Sequence, residues 1–416
     1  MSRTARNAST GIGIAVVLAL GLTACGSSGG EDVAADKKQT LTVWAMGAEG
    51  EKLADVAKVY EKANPNITVK VTPVGWDVAH QKLVSAAAAG TMPDVAQMGG
   101  SYMGEFSELG VLEPVDTKTF QKKDFFPAGW KQGEVDGQAY GVPWYVDTRV
   151  LYYRTDLAEK AGITKAPTDW KELQALATAY QKKADTKWGL SIQPSNLDTV
   201  QNFYPFLYSA GGEIVNDKGE AVIDSPEAVK ALKEYGSYFA KGLSNKSQPP
   251  GYDVVKDFGN GRVPMFFGGP WHVTLLNEGQ PQIKGKWAVA AVPADKSSTS
   301  MAGGSSLVIS KDSEHKAAAT QFIKYLTDTK GQADWYERTK DLPANTAAWT
   351  SGDLADDAAL QIFKKQMDTA KSSPSLPNLS EITDKVDQAI AKVTQGKASA
   401  EDALKTAQSE IEGLVK

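Results

Sequence analysis

The sequence predicts an α/β fold divided into two lobes. Three observations lead there. Strand-like runs alternate with amphipathic stretches at helical spacing from Leu41 onward. The body behind the N-terminal leader runs to roughly 370 residues, more than one hydrophobic core usually holds. No fixed-period repeat or low-complexity tract interrupts that body.

At the start, Arg3 and Arg6 precede an apolar run from Ile12 to Leu22. About 11 helical residues span roughly 16 Å, short of a bilayer core of about 30 Å, so the run reads as the h-region of a signal peptide. It ends in Leu22-Thr23-Ala24-Cys25, small residues followed by the single cysteine. Cleavage before Cys25 frees a thiol to take a diacylglycerol through a thioether; the competing reading is a chance cysteine beside an ordinary secretory site. Residues 1–24 are therefore expected to be a lipoprotein signal peptide, and 25–39 a lipidated Cys25 with a flexible Gly/Ser tether. The membrane is an expected partner through that lipid, with the protein facing outward. One cysteine leaves no intrachain disulfide.

The body opens on Leu41-Thr42-Val43-Trp44, a strand by composition, followed by a helix from about Glu51 to Ala63 stopped at Asn64-Pro65. A strand from Ile67 to Val74 leads through a loop at Gly75-Trp76-Asp77 into a helix ending at Gly90, and Pro93-Asp94-Val95-Ala96 begins a third βα unit. In such sheets ligands sit beyond the C-terminal strand ends, where Trp44 to Glu49, Trp76 and Met98 to Tyr102 fall. Tyr140 to Asp147 is extended and Leu151-Tyr152-Tyr153 is a strand. Helices follow over about Trp170–Lys182, Thr199–Ser209 and Pro226–Lys241, with a hairpin turn at Asp217-Lys218-Gly219. Ala288–Val292 and Ser306–Ile309 return to strand, and the C-terminal hundred or so residues are helical, broken at Leu342-Pro343 and Ser373-Pro374.

Charge is mixed, 45 basic against 50 acidic residues without a run of either sign, which argues against nucleic acid. No P-loop, calcium loop or cysteine cluster appears, so no cofactor or metal is expected. The chain carries 10 Trp and 14 Tyr, several beside Gly or Pro, a placement that suits loop aromatics in a binding site as well as core packing.

An ordered set of segments resembles the extracellular solute-binding proteins of ABC importers, in the sugar-binding family that includes maltodextrin-binding protein. The set comprises Leu41-Thr42-Val43-Trp44, the Ala-rich helix with Gly90 and Pro93-Asp94, Gly110-Val111-Leu112-Glu113-Pro114, Tyr140-Gly141-Val142-Pro143 and Leu151-Tyr152-Tyr153-Arg154. Gly211-Gly212, Gly268-Gly269-Pro270-Trp271, Val292-Pro293 and Gly303-Gly304 complete it. The resemblance implies a two-lobed, periplasmic-binding-protein-like fold of type II. Three hinge crossings would join the lobes, with the ligand in the cleft between them. It implies a first lobe of 40–147 with 294–328 and a second of 148–293 with 329–416. It further implies a monomer that captures a carbohydrate, a disaccharide or small oligosaccharide, closes on it, and delivers it to the importer's permease subunits.

Sugar recognition uses flat aromatic faces against ring C–H groups and carboxylates or amides for hydroxyls. Trp271 aligns with a stacking aromatic of the family; the alternative is a tryptophan of the second lobe's core. Asp147 falls at the first hinge, where relatives place a carboxylate; the alternative is an ion pair with Arg149 or Arg154. Tyr145 shares the face of Asp147 on an extended chain, opposite Trp144. Glu49 occupies the first loop, either facing ligand or solvated at a helix start, and Ala48 beside it departs from the family's polar pair. Met98 and Ser101 stand where maltodextrin binders carry a tryptophan and an aspartate, with Tyr102 next to them as a compensating aromatic. Gln201 and Asn202 match cleft positions of relatives, Gly304 a binding loop, and Trp76 is either a cleft or a packing residue. Arg149 is the one basic group at the hinge among these candidates, which favours a neutral ligand over a phosphate. A family aromatic near the C-terminus is replaced by an aliphatic near Val386, and these departures favour a smaller saccharide than maltodextrin.

Two alternatives stay open. The same fold can serve a polyol, a glycerophosphodiester or a peptide-like solute. A secreted carbohydrate-active enzyme needs only two suitably spaced carboxylates, but the three histidines show no His-Glu-x-x-His pair and no Gly-x-Ser-x-Gly elbow occurs. The expectation is a binding protein rather than an enzyme.

Overall fold

The computed structural model describes residues 37–195, 199–216, 218–249, 252–350 and 352–415. The signal peptide, Cys25, most of the tether and the first residue of the Asp217 turn lie outside the described residues. In chain order the strands are β1 Gln39–Met46, β2 Ile67–Val74, β3 Val95–Gly99, β4 Glu134–Val135, β5 Gln138–Ala139 and β6 Gly141–Thr148. Then come β7 Val150–Arg154, β8 Met265–Gly268, β9 Trp287–Ala290, β10 Met301–Ile309, β11 Leu342–Pro343 and β12 Lys371–Ser372. Helices fill the intervals, and among the described residues none is long and apolar enough to cross a membrane.

The larger sheet has the order β11-β6-β10-β3-β1-β2, with β12 pairing the start of β10. β1 lies parallel to β2 and β3, as βα crossovers require, whereas β10 runs antiparallel to β3 and β6. Alternation along β1 sends Leu41, Val43 and Ala45 into a core that the helix Gly47–Ala63 covers with Leu53, Val56, Ala57 and Tyr60. The smaller sheet, β8-β7-β9, is antiparallel. One of its faces packs on the helices Trp170–Lys183, Val200–Ser209 and Pro226–Ala240, and on the C-terminal helices Leu379–Thr394 and Ala400–Ile411. Its other face meets the helix Ala358–Asp368, where the Tyr152 and Phe363 rings lie 6.4 Å apart. The elements read from sequence recur, except that Trp76 and Asp77 open the second helix, Trp76–Ala89, rather than sitting in a loop.

The chain passes between the sheets side by side. β6 runs almost directly into β7, and β10 pairs β6 at Ala302–Thr148 and Gly303–Asp147. The Thr148 hydroxyl donates to the Met301 carbonyl at 2.6 Å, and the Ser300 hydroxyl to the Arg149 carbonyl at 2.8 Å. β12 joins the same ribbon, its Lys371 amide donating to the Ser300 carbonyl at 2.9 Å.

The third return differs from the boundary expected after residue 328. The helix Thr329–Thr339 and β11 belong to the larger sheet, where Leu342 and Pro343 pair Val146 and Tyr145 of β6. Gln332 explains the attachment. Its amide donates to the Pro143 carbonyl at 3.1 Å, and its side-chain oxygen accepts from the Asn345 amide at 2.7 Å, both fully buried. Trp335 of the same helix lies against Trp144, ring centres 4.5 Å apart. Trp144→Ala should therefore lower the unfolding free energy by about 3–5 kcal/mol, read as a shift in urea midpoint.

Candidate ligand-binding site

A cavity of about 660 Å³ opens between elements of the two sheets. The larger sheet contributes Ala48, Glu49 and Lys52 from the helix after β1, Trp76, the end of β6 and residues 338–342 before and in β11. The smaller sheet contributes Pro270, Trp271, Thr274 and Leu275, from the turn and helix after β8. Trp76 and Trp271 keep 39 % and 40 % of their surface exposed, far more than a core tryptophan.

Each group is held by local structure. Gln97 of β3 is fully buried: its side-chain oxygen accepts from the Met46 amide at 2.6 Å and its amide nitrogen donates to the Tyr145 phenol at 3.3 Å. The Tyr145 hydroxyl donates in turn to Glu49 at 2.8 Å, so a three-residue relay runs from the sheet interior to the cavity. Burial first, and the Glu49 charge next, push the Tyr145 phenol well above its ordinary value, so it acts as a neutral donor. Trp76 lies over Gly47, whose φ of +53° already favours glycine and where a Cβ would come within 2.8 Å of the indole. Asp147 accepts from Arg149 at 2.5 Å, and the Arg149 guanidinium sits 4.7 Å from the centre of the Trp271 ring. Tyr152 of β7 donates to the Gly269 carbonyl at 2.7 Å, fixing the turn that presents Trp271.

Six sequence candidates thus meet at one place: Glu49, Trp76, Tyr145, Asp147 and Trp271 line the cavity, and Arg149 pairs with one of them. Asp147 takes Arg149 as its ion partner, while Arg154 forks onto Asp156 at 2.8 Å. The remaining candidates lie outside the cavity. Ser101 is exposed on the short helical turn Gly100–Tyr102, and Tyr102 packs over the His80 ring at 4.9 Å. Gln201 and Asn202 are half-buried in the first turn of their helix, whose Val200 amide is tied to Asp387 at 2.6 Å. Gly304 serves the backbone: at φ +124° a Cβ there would come within 2.3 Å of the Tyr145 carbonyl oxygen, so glycine permits the β6–β10 approach. Met98 and Val386 are fully buried, so neither stands at a cleft surface.

The candidates had not included Lys52, Thr274, Leu275, Arg338 and Asp341. Helical spacing signals three of them, since Lys52 follows Glu49 by three residues and Thr274 and Leu275 follow Trp271 by three and four. Asp341 depends on the pairing of β11 with β6, which no local pattern announces. Its carboxyl accepts from the Trp335 indole at 3.1 Å, and burial, then the Glu49 charge, push it up to about 7.

The sequence profile described as bacterial extracellular solute-binding protein matches residues 55–362. The chain belongs to that family. Among relatives of this solute-binding protein, the maltodextrin-binding protein MdxE of Bacillus subtilis is 27% identical over 418 residues, 96% of this chain and 95% of the relative. The sugar-binding protein MalE of Xanthomonas citri superposes with a TM-score of 0.84 at 31% identity, covering 91% of this chain and 97% of that one. An ABC transporter solute-binding protein of Thermotoga lettingae, solved with α-D-tagatose, gives 0.78 at 31% identity, covering 91% and 100%. The two-lobed architecture of this family is the one observed, and its members act outside the cytoplasm.

The relay makes a stability prediction independent of any ligand. Tyr145→Phe leaves the Gln97 amide without its acceptor and Glu49 without its donor, and should cost about 1–3 kcal/mol in denaturant unfolding.

Proposed function

We propose that this chain is the capture component of an ABC importer for a carbohydrate, a disaccharide or small oligosaccharide. It closes its lobes on the sugar and presents the closed form to the permease subunits. The observation that carries the reading is the pairing, across one cavity, of exposed tryptophan faces from both lobes with carboxylates already held in hydrogen bonds. A pyranose offers that arrangement what it needs, C–H faces for Trp76 and Trp271 and hydroxyls for Glu49 and Asp147. A cavity of about 660 Å³ suits a few sugar rings rather than a long dextrin. The names of the Bacillus, Xanthomonas and Thermotoga proteins support the carbohydrate class and the transporter partnership.

The protein works as a monomer that binds without turnover, anchored outward by a lipid on Cys25. Cleavage after Ala24 leaves the tether to hold the receptor near its importer, substituting proximity for affinity between the two.

The test is a thermal-shift screen against mono- and oligosaccharides, followed by calorimetry on the hits. A sugar at about 100 times its Kd should stabilise the fold by roughly 2.7 kcal/mol. Trp271→Ala should weaken that sugar at least tenfold with an unchanged circular dichroism spectrum. A panel without a single hit, or full affinity in the variant, would contradict the reading.

A further inference from the structure

Gln97 does not line the cavity, yet both ends of its side chain lead there. The β1–β3 pairing runs through Val43–Val95 and Trp44–Ala96. Past that pair the Met46 N–H is taken by a side chain, the Gln97 oxygen, at 2.6 Å. Met46 is the last residue of β1 and caps the helix that carries Glu49. A backbone N–H can only donate, so the Gln97 oxygen is committed to it and the amide nitrogen has to face the other way. There it meets the Tyr145 hydroxyl at 3.3 Å. The phenol oxygen receives that hydrogen and sends its own to Glu49 at 2.8 Å. Gln97 is fully buried, and it is joined to Glu49 twice, through the phenol and through the end of β1.

We propose that Gln97 is a positioning residue of this site: it fixes the direction of the Gln97–Tyr145–Glu49 hydrogen bonds, so that Glu49 is held by the phenol and keeps its other oxygen for a ligand hydroxyl. The proposal rests on the carbohydrate reading above. Tying β1 to β3 needs the Gln97 oxygen alone; the nitrogen serves the phenol. Among the described residues Glu49 has no ion pair, so the phenol hydrogen is what holds its carboxylate in place. With the relay reversed, a phenol lone pair would face that carboxylate and the hold would be lost. An ionised Glu49 only accepts, so the group it selects is one that donates, a sugar hydroxyl rather than an ether oxygen. The order of bonds thus carries a backbone constraint at Met46 out to a preference for hydroxyl-bearing ligands at the cavity wall.

Calorimetry of the mature protein with maltotriose tests the assignment. Gln97→Leu should weaken maltotriose roughly tenfold or more. Most of that loss should vanish when Tyr145→Phe is already present, because no phenol hydrogen remains to be directed. Equal losses in both backgrounds would overturn the proposal. A second readout needs no sugar. Gln97→Glu puts an acceptor where the amide nitrogen was, so two carboxylates compete for one phenol hydrogen. Adding Glu49→Gln supplies an N–H on the cavity side and lets the relay run backwards with every bond made. At pH 8.5 the double variant should melt above Gln97→Glu alone, and Tyr145→Phe should abolish that gain. If Gln97→Glu alone does not fold, recovery of a folded double variant is the same result. A double variant no more stable than Gln97→Glu, or a gain that survives without the phenol, would refute the directed relay. If maltotriose and every other saccharide fail to bind, the carbohydrate reading falls and the sugar contact of Glu49 with it, while the swap still reports the direction of the relay.

Discussion

The β6–β10 crossing is the constraint on which the rest of the site depends. Two antiparallel strands leave one sheet and enter the territory of the other in adjacent register, stapled by Thr148 to Met301 and by Ser300 to Arg149. Because the side chains of β6 alternate, this pairing turns Tyr145 and Asp147 toward the cavity while Trp144 and Val146 are buried, Val146 at the cavity edge. A one-residue slip would exchange those faces and bury the carboxylate. The close backbone approach at Gly304 and the buried Gln332 bridge to β11 both protect the register.

That geometry also shapes the site's electrostatics. Acids gathered in a cleft repel one another, and each is held by a different donor: a phenol for Glu49, a guanidinium for Asp147, an indole N–H for Asp341. Arg149 also lies over the Trp271 ring and so links the charge pair at the crossing to that aromatic face. Binding groups on both lobes give a ligand contacts in the closed form that it lacks in an open one, and that difference in free energy is what drives closure. A helix start set beyond a parallel strand, as for Glu49 and Trp76, keeps these groups on rigid elements.

Much of this was legible in the sequence. Strand–helix alternation and stop signals at Asn64-Pro65 and Gly90 located the first βα units, because hydrophobic period and helix ends are local properties. Asp147, Tyr145 and Trp271 were legible because they sit beside landmarks of the chain, an extended run into the hinge and a Gly-Gly-Pro turn. Gln201, Asn202 and Tyr102 fall outside the cavity lining, a placement that position in a motif does not decide. Asp341 and the attachment of β11 were hidden for the opposite reason: strand pairing between residues 146 and 342 is a long-range event, decided by a buried glutamine with two partners. Helical spacing from Glu49 and Trp271 held unused information on Lys52 and Leu275.

If one ligand is held by both lobes, its binding must contract the molecule. Small-angle X-ray scattering of the mature protein, before and after saturation with the best sugar from the screen, measures this directly. The expected result is a smaller radius of gyration in the saturated sample, reversed when the sugar is removed. Saturable binding with superimposable scattering curves, or with expansion, would contradict capture by lobe closure.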